Sequence, residues 1–65
     1  MTYTVNVYKP CPRNPKGGQM VPHSHTPLDV SLGDAEKTVR IMREGLPSGF
    51  LVELQDANGR TVKVL

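Results

Sequence analysis

The sequence predicts a single two-layer α+β domain of β-α-β-β order, a three-stranded sheet with one helix packed on one face. Three observations predict it: an alternating β-branched stretch at the start, a capped amphipathic stretch in the middle, and two apolar runs joined through Asp56-Ala57-Asn58-Gly59. The chain has 65 residues, enough for one core and no more, since a domain of this size buries only about 60% of its unfolded surface.

In the first strand, over about residues 2–8, Tyr3, Val5 and Val7 alternate with Thr4, Asn6 and Tyr8, the period-two pattern of a strand buried on one side. Pro10 and Pro12 follow, each without the N–H that a ladder needs. Residues 9–30 then read as an irregular loop, with Pro10, Pro12, Pro15, Pro22 and Pro27 and the Gly17-Gly18 pair. Connections longer than about 12–15 residues are commonly functional or disordered, which makes this loop the main anomaly of the chain.

The helix is expected over about residues 32–44. Ser31 is its N-cap, with the Asp34 carboxylate able to reach back. Gly45 is expected to take the left-handed conformation at its end, and Pro47 follows as a stop. At 100° per residue Leu32, Ala35, Val39 and Met42 form one stripe, bordered by Thr38 and Leu46, and that stripe faces the core. Glu36, Arg40 and Glu44 lie outside it as a solvated face, and Ile41 stands apart as an isolated apolar residue.

The remaining strands are expected at about 49–55 and 60–65. A three-residue connection, Ala57-Asn58-Gly59 with Gly59 left-handed, pairs Leu54 with Val62, Val52 with Val64, and Glu53 with Lys63, which separates apolar from polar faces. The predicted order is antiparallel 1-3-2, the 60–65 strand lying between the other two. Leu51 and Leu65 would then face each other on the side away from the helix, beside Tyr8.

The formal net charge of +2 and pI near 9.0 are too slight to argue for nucleic acid by themselves. One cysteine, Cys11, excludes an intramolecular disulfide and favours a reducing compartment. No apolar run approaches the roughly 20 residues of a membrane span, so the expected location is the cytoplasm.

Two imidazoles in His23-Ser24-His25 project to the same side of an extended segment, and with Cys11 and Asp29 they suit zinc chemically. The spacing matches no zinc signature, so neither metal nor cofactor is expected. Cys11 with either histidine lacks a third group to orient a base, and no phosphate loop or Ser-His-acid set is present. A chain this short is also expected to lack a substrate cavity of a few hundred Å³. The sequence therefore reads as a non-enzyme.

The leading expectation is a small module that occupies a surface of a larger protein, as an inhibitor or adaptor does. Its expected contacts are Tyr8, the loop cations Lys9, Arg13 and Lys16, the leftover Leu51 and Leu65, and Ile41. A nucleic-acid binder using the loop cations with Arg40, Arg43, Arg60 and Lys63 is the second expectation, weakened by having only Tyr3, Tyr8 and Phe50 as aromatics. A homodimer paired through sheet edges or the Leu51 and Leu65 face is the third.

Overall fold

The alternation in the first strand is realised in β1 (Thr2–Pro10), where Tyr3, Val5 and Val7 are buried and Thr4, Asn6 and Tyr8 are half-buried. The computed structural model describes residues 2–14 and 16–65. Met1 and Pro15, the latter one of the prolines assigned above to the loop, lie outside the described residues. The remaining elements are β2 (Met20–Asp29), α1 (Leu32–Glu44), β3 (Leu51–Gln55) and β4 (Thr61–Val64). Together they form an α+β fold with one helix and a four-stranded antiparallel sheet in the order β2-β1-β3-β4.

β2 overturns both the three-stranded sheet and the irregular loop over 9–30. Residues 20–29 run antiparallel to β1, from Thr2 opposite Asp29 to Pro10 opposite Met20. Pro22 and Pro27 do not prevent this, because β2 is an edge strand and a proline is tolerated where its missing N–H faces away from the neighbour. What remains of the loop among the described residues is a hairpin tip, residues 11–14 and 16–19. It is closed by the Cys11 N–H on the Gln19 carbonyl at 2.9 Å and turned by Asn14 N–H to the Cys11 carbonyl and Gly17 N–H to the Asn14 carbonyl.

The extra strand also corrects the order. Because β2 returns the chain, α1 links β2 to β3, and β3 descends antiparallel to β1 with Val5 opposite Leu54 and Val7 opposite Val52. The predicted 1-3-2 order, with the last strand in the middle, is not adopted; β4 is an edge strand.

The helix spans the predicted residues. Ser31 Oγ accepts the Asp34 N–H at 3.3 Å, and Asp34 in the first turn and Arg43 in the last complement the helix dipole. Ala35 and Val39 are buried, Met42 and Leu46 pack against the core, and Leu32 is 42% exposed, outside the packed stripe. Gly45 is right-handed at φ −82° rather than left-handed. The end is tightened instead by its N–H on the Ile41 and Met42 carbonyls and by the Leu46 N–H on Arg43. Positive φ is deferred to Gly49, at 93°, just before β3.

Val5, Val7, Val39, Val52 and Leu54 are the largest fully buried side chains, each contributing about 1.5–3 kcal/mol of transfer free energy. Leu28, Val30, Phe50 and Leu65 close the margins of this cluster.

The β3–β4 turn follows the predicted three-residue geometry. Asp56 N–H bonds to the Arg60 carbonyl at 2.9 Å, Asp56 Oδ1 accepts the Asn58 and Arg60 amides, and Gly59 has φ 80°. Gln55 lies opposite Thr61 as expected, but a bulge then shifts the ladder by one residue, placing Lys63 opposite Leu54 and Val64 opposite Glu53. Val52 consequently exchanges both backbone bonds with Leu65, at 2.9 and 2.8 Å. α1 packs over β3 and β1, so valines on β4 gain little from facing it, and the larger Leu65 takes the place at the core margin. Val62 and Val64 are left 41% and 50% exposed.

This register predicts that Leu65→Ala costs about 1–3 kcal/mol, as expected for truncating a packed leucine at a core margin, whereas Val64→Thr stays within about 0.5 kcal/mol. Urea unfolding of the two variants measures the difference; the reverse order would restore the unbulged register.

Candidate functional site

The sheet face opposite α1 is covered by no element among the described residues, and it carries a hydrogen-bonded row that crosses all four strands. On β1, Asn6 alternates with buried Val5 and Val7 and so projects to this face. Its Nδ2 donates to Gln55 Oε1 at 3.0 Å and to Glu53 Oε1 at 3.4 Å on β3. On the other side, Asn6 Oδ1 lies 2.7 Å from Nδ1 of His25 on β2. Since the Asn6 amide nitrogen is already committed to β3, its oxygen accepts from His25, which fixes the proton of the neutral imidazole on Nδ1.

Glu53 is the centre of the row. Its Oε2 accepts the Thr61 hydroxyl of β4 at 2.6 Å, and its Oε1 accepts from Tyr8 at 3.3 Å as well as from Asn6. The Thr61 bond is the largest influence holding the Glu53 carboxyl below its ordinary value of 4.5; partial burial opposes it, and the bonds from Asn6, Tyr8 and Gln55 add to it. Burial raises the Tyr8 hydroxyl above its ordinary value of 10.0, reinforced by the charge of Glu53 and the hydrogen bond to it. A hydrogen-bonded carboxylate favours its charged form, so the face presents an ionised, pre-oriented acid at neutral pH.

Apolar side chains flank this acid. Leu51, 36% exposed, lies opposite Tyr8, and Val64 lies opposite Glu53. Toward β2, a bulge skips His23 in the pairing of Val7 with Ser24 and Tyr8 with Pro22. An open depression of about 500 Å³ lies at this bulge, walled by Asn6, Tyr8, Pro22, His23 and His25 among others. The expectation that no space of a few hundred Å³ exists is therefore corrected: the bulge, invisible in the sequence, opens one at the sheet surface.

The sequence-predicted residues are only partly brought together. Tyr8 and Leu51 are direct cross-strand neighbours on the open face. Leu65 is not on that face with Leu51; the β4 bulge turns it to the core. Lys9 is half-buried near the end of β1, Arg13 and Lys16 are exposed in the hairpin tip, and Ile41 is 69% exposed on α1. The two histidines diverge. His25 bonds to Asn6, while the His23 ring meets Phe50 edge-on at 5.3 Å, and Phe50 packs against the core. Cys11 is a half-buried free thiol at the base of the tip. Among the described residues no three His, Cys, Asp or Glu side chains converge as metal ligands, and no helix is long and apolar enough to cross a membrane.

Sequence reading missed Asn6, Glu53, Gln55 and Thr61 as a group. Their signal was present as polar residues at alternate positions of paired strands, but assembling them required the strand order. No protein-family model, no curated protein and no solved structure matches this chain.

Glu53 has a pKa below its unfolded value, so its contribution to stability is fully present above the unfolded value and is lost as pH falls through the folded one. Below about pH 4.5 the wild type is expected to lose stability faster than Glu53→Gln, whose urea midpoints should vary less between pH 7 and pH 3. Parallel midpoint curves would show that the hydrogen bonds to Glu53 do not favour its ionised form.

Proposed function

We propose that this chain is a small non-enzymatic protein-binding module, of inhibitor or adaptor type, that seats a partner protein on the open face of its sheet. The observation that supports this most is the uncovered face itself, with the Glu53 carboxylate held in place by Thr61, Asn6 and Tyr8 and flanked by exposed Leu51 and Val64. A fixed charge set among apolar side chains is what a central interface contact needs. The polar group is oriented in advance, and the surrounding contacts exclude water.

The charge favours a partner that brings an arginine or lysine to Glu53. A nucleic-acid backbone is disfavoured, since an ionised carboxylate at the centre of the face opposes phosphate. The chain's eight lysines and arginines are dispersed, with Lys9 on β1, Arg13 and Lys16 in the hairpin tip, Lys37, Arg40 and Arg43 on α1, Arg60 in the β3–β4 turn and Lys63 on β4, instead of lining one groove. The depression beside His25 does not change this reading. His25 Nδ1 is tied to Asn6, and Cys11 is not in its walls, so the thiol does not stand beside that imidazole.

The test is capture of a nuclease-resistant protein from host lysate by the tagged chain, repeated with variants matched for thermal stability. Leu51→Asp and Glu53→Arg are expected to weaken binding of that protein at least tenfold, about 1.4 kcal/mol, while Ile41→Asp leaves it intact. If loss instead follows replacement of Lys9, Arg13 and Lys16 and the bound material disappears with nuclease, the nucleic-acid reading takes its place.

A further inference from the structure

The two edges of the sheet differ in a way that the open face does not explain. A proline fits a paired strand only where its missing N–H points outward, so Pro22 and Pro27 remove two donors from the free edge of β2. β4 carries no proline. Val52 and Leu65 exchange both backbone bonds, and bonded and non-bonded pairs alternate along an antiparallel ladder. Val64, next to Leu65, therefore directs its N–H and carbonyl away from β3. Its side chain is half exposed, and Val62, the residue skipped at the bulge, is exposed too. The edge thus offers an outward backbone donor and acceptor beside apolar side chains, which is the template for strand addition.

Charge decides what can add there. From Ala57 to Leu65 the chain has two cations, Arg60 and Lys63, and no acidic residue. In the antiparallel register that pairs Val62 of one copy with Val64 of the other, a second β4 would set its Lys63 opposite Lys63 of the first, and like charges directly opposite across a strand pair are destabilising. The same cations complement an acidic segment. Side chains on neighbouring strands share a face when their residues are opposite. An added strand would therefore set acidic residues beside Lys63, on the side of the sheet that faces α1, and apolar residues beside Val64 on the other.

We propose that the free edge of β4 binds an extended acidic peptide segment of a partner protein, with acidic and apolar residues alternating, by strand addition at Val64. The segment uses the main chain of one edge and does not require the open face to be occupied, so this proposal stands apart from the one above. The β4 bulge and Lys63 act against copies of the chain itself while leaving the edge usable by a segment of opposite charge.

The experiment uses the full chain, labelled with 15N, and two blocked synthetic peptides, Thr-Val-Glu-Val-Glu-Val-Thr and its counterpart with Lys in place of Glu. The Glu peptide is expected to shift the amides of Val62 to Leu65 and to bind at least about threefold tighter than the Lys peptide. Lys63→Glu should reverse that preference, and Val64→Pro, which removes the outward N–H, should abolish binding while the remaining amide spectrum keeps its native pattern. Equal binding of the two peptides, shifts confined to the hairpin tip or to α1, no shift up to millimolar peptide, or dimerisation through β4 in the absence of peptide would each overturn it.

Discussion

β1 is paired along both of its edges, to β2 on one side and β3 on the other, and the rest of the molecule depends on that double pairing. The strand gives Tyr3, Val5 and Val7 to the core and, by strict alternation, Asn6 and Tyr8 to the opposite face. Among the described residues one helix, α1, covers the sheet, so one face is packed and the other is open. Fixing β1 in the interior of the sheet therefore determines which residues of every other strand are buried and which are presented.

The presented face is ordered by side chains rather than by a covering element. Asn6 bridges β2 to β3, and Glu53 bridges β1 to β4, so four strands share one hydrogen-bonded row. Individually such bonds contribute modestly, about 0.5–1.5 kcal/mol each, but they hold the carboxylate in one orientation. The edges carry complementary features. Prolines close one side of the sheet, and a bulged, cationic strand leaves the other open. The molecule thus has one packed face, one face organised by side-chain hydrogen bonds, and two unlike edges.

Much of the fold was legible because it rests on local rules. The helix limits follow from Ser31 and from the spacing of Ala35, Val39 and Met42, and the β3–β4 turn follows from Asp56 and Gly59. β2 was not legible because Pro22 and Pro27 were read as breakers, a reading that is correct for an interior strand and wrong for an edge. Its half-buried alternation, Thr26 and Leu28, is short and lies only at one end. The β4 bulge was hidden for a different reason. Pairing Leu54 with Val62 satisfies every local rule, and only the position of α1 over β3 and β1 makes Leu65 the better core residue. Of the candidate site, Tyr8 and Leu51 were readable as leftovers on a sheet face, while the Asn6 and Glu53 network depends on the strand order and could not be assembled without it.

The most direct test of this account is the set of cross-strand nuclear Overhauser contacts made by β1 in solution. The structure places Asn6 opposite both His25 and Glu53, so contacts from β1 to residues 20–29 on one side and to residues 51–55 on the other are predicted together. Contacts from β1 to residues 61–64 instead, with residues 20–29 showing none, would return the last strand to the middle of the sheet, dissolve the Asn6 and Glu53 row, and contradict the account.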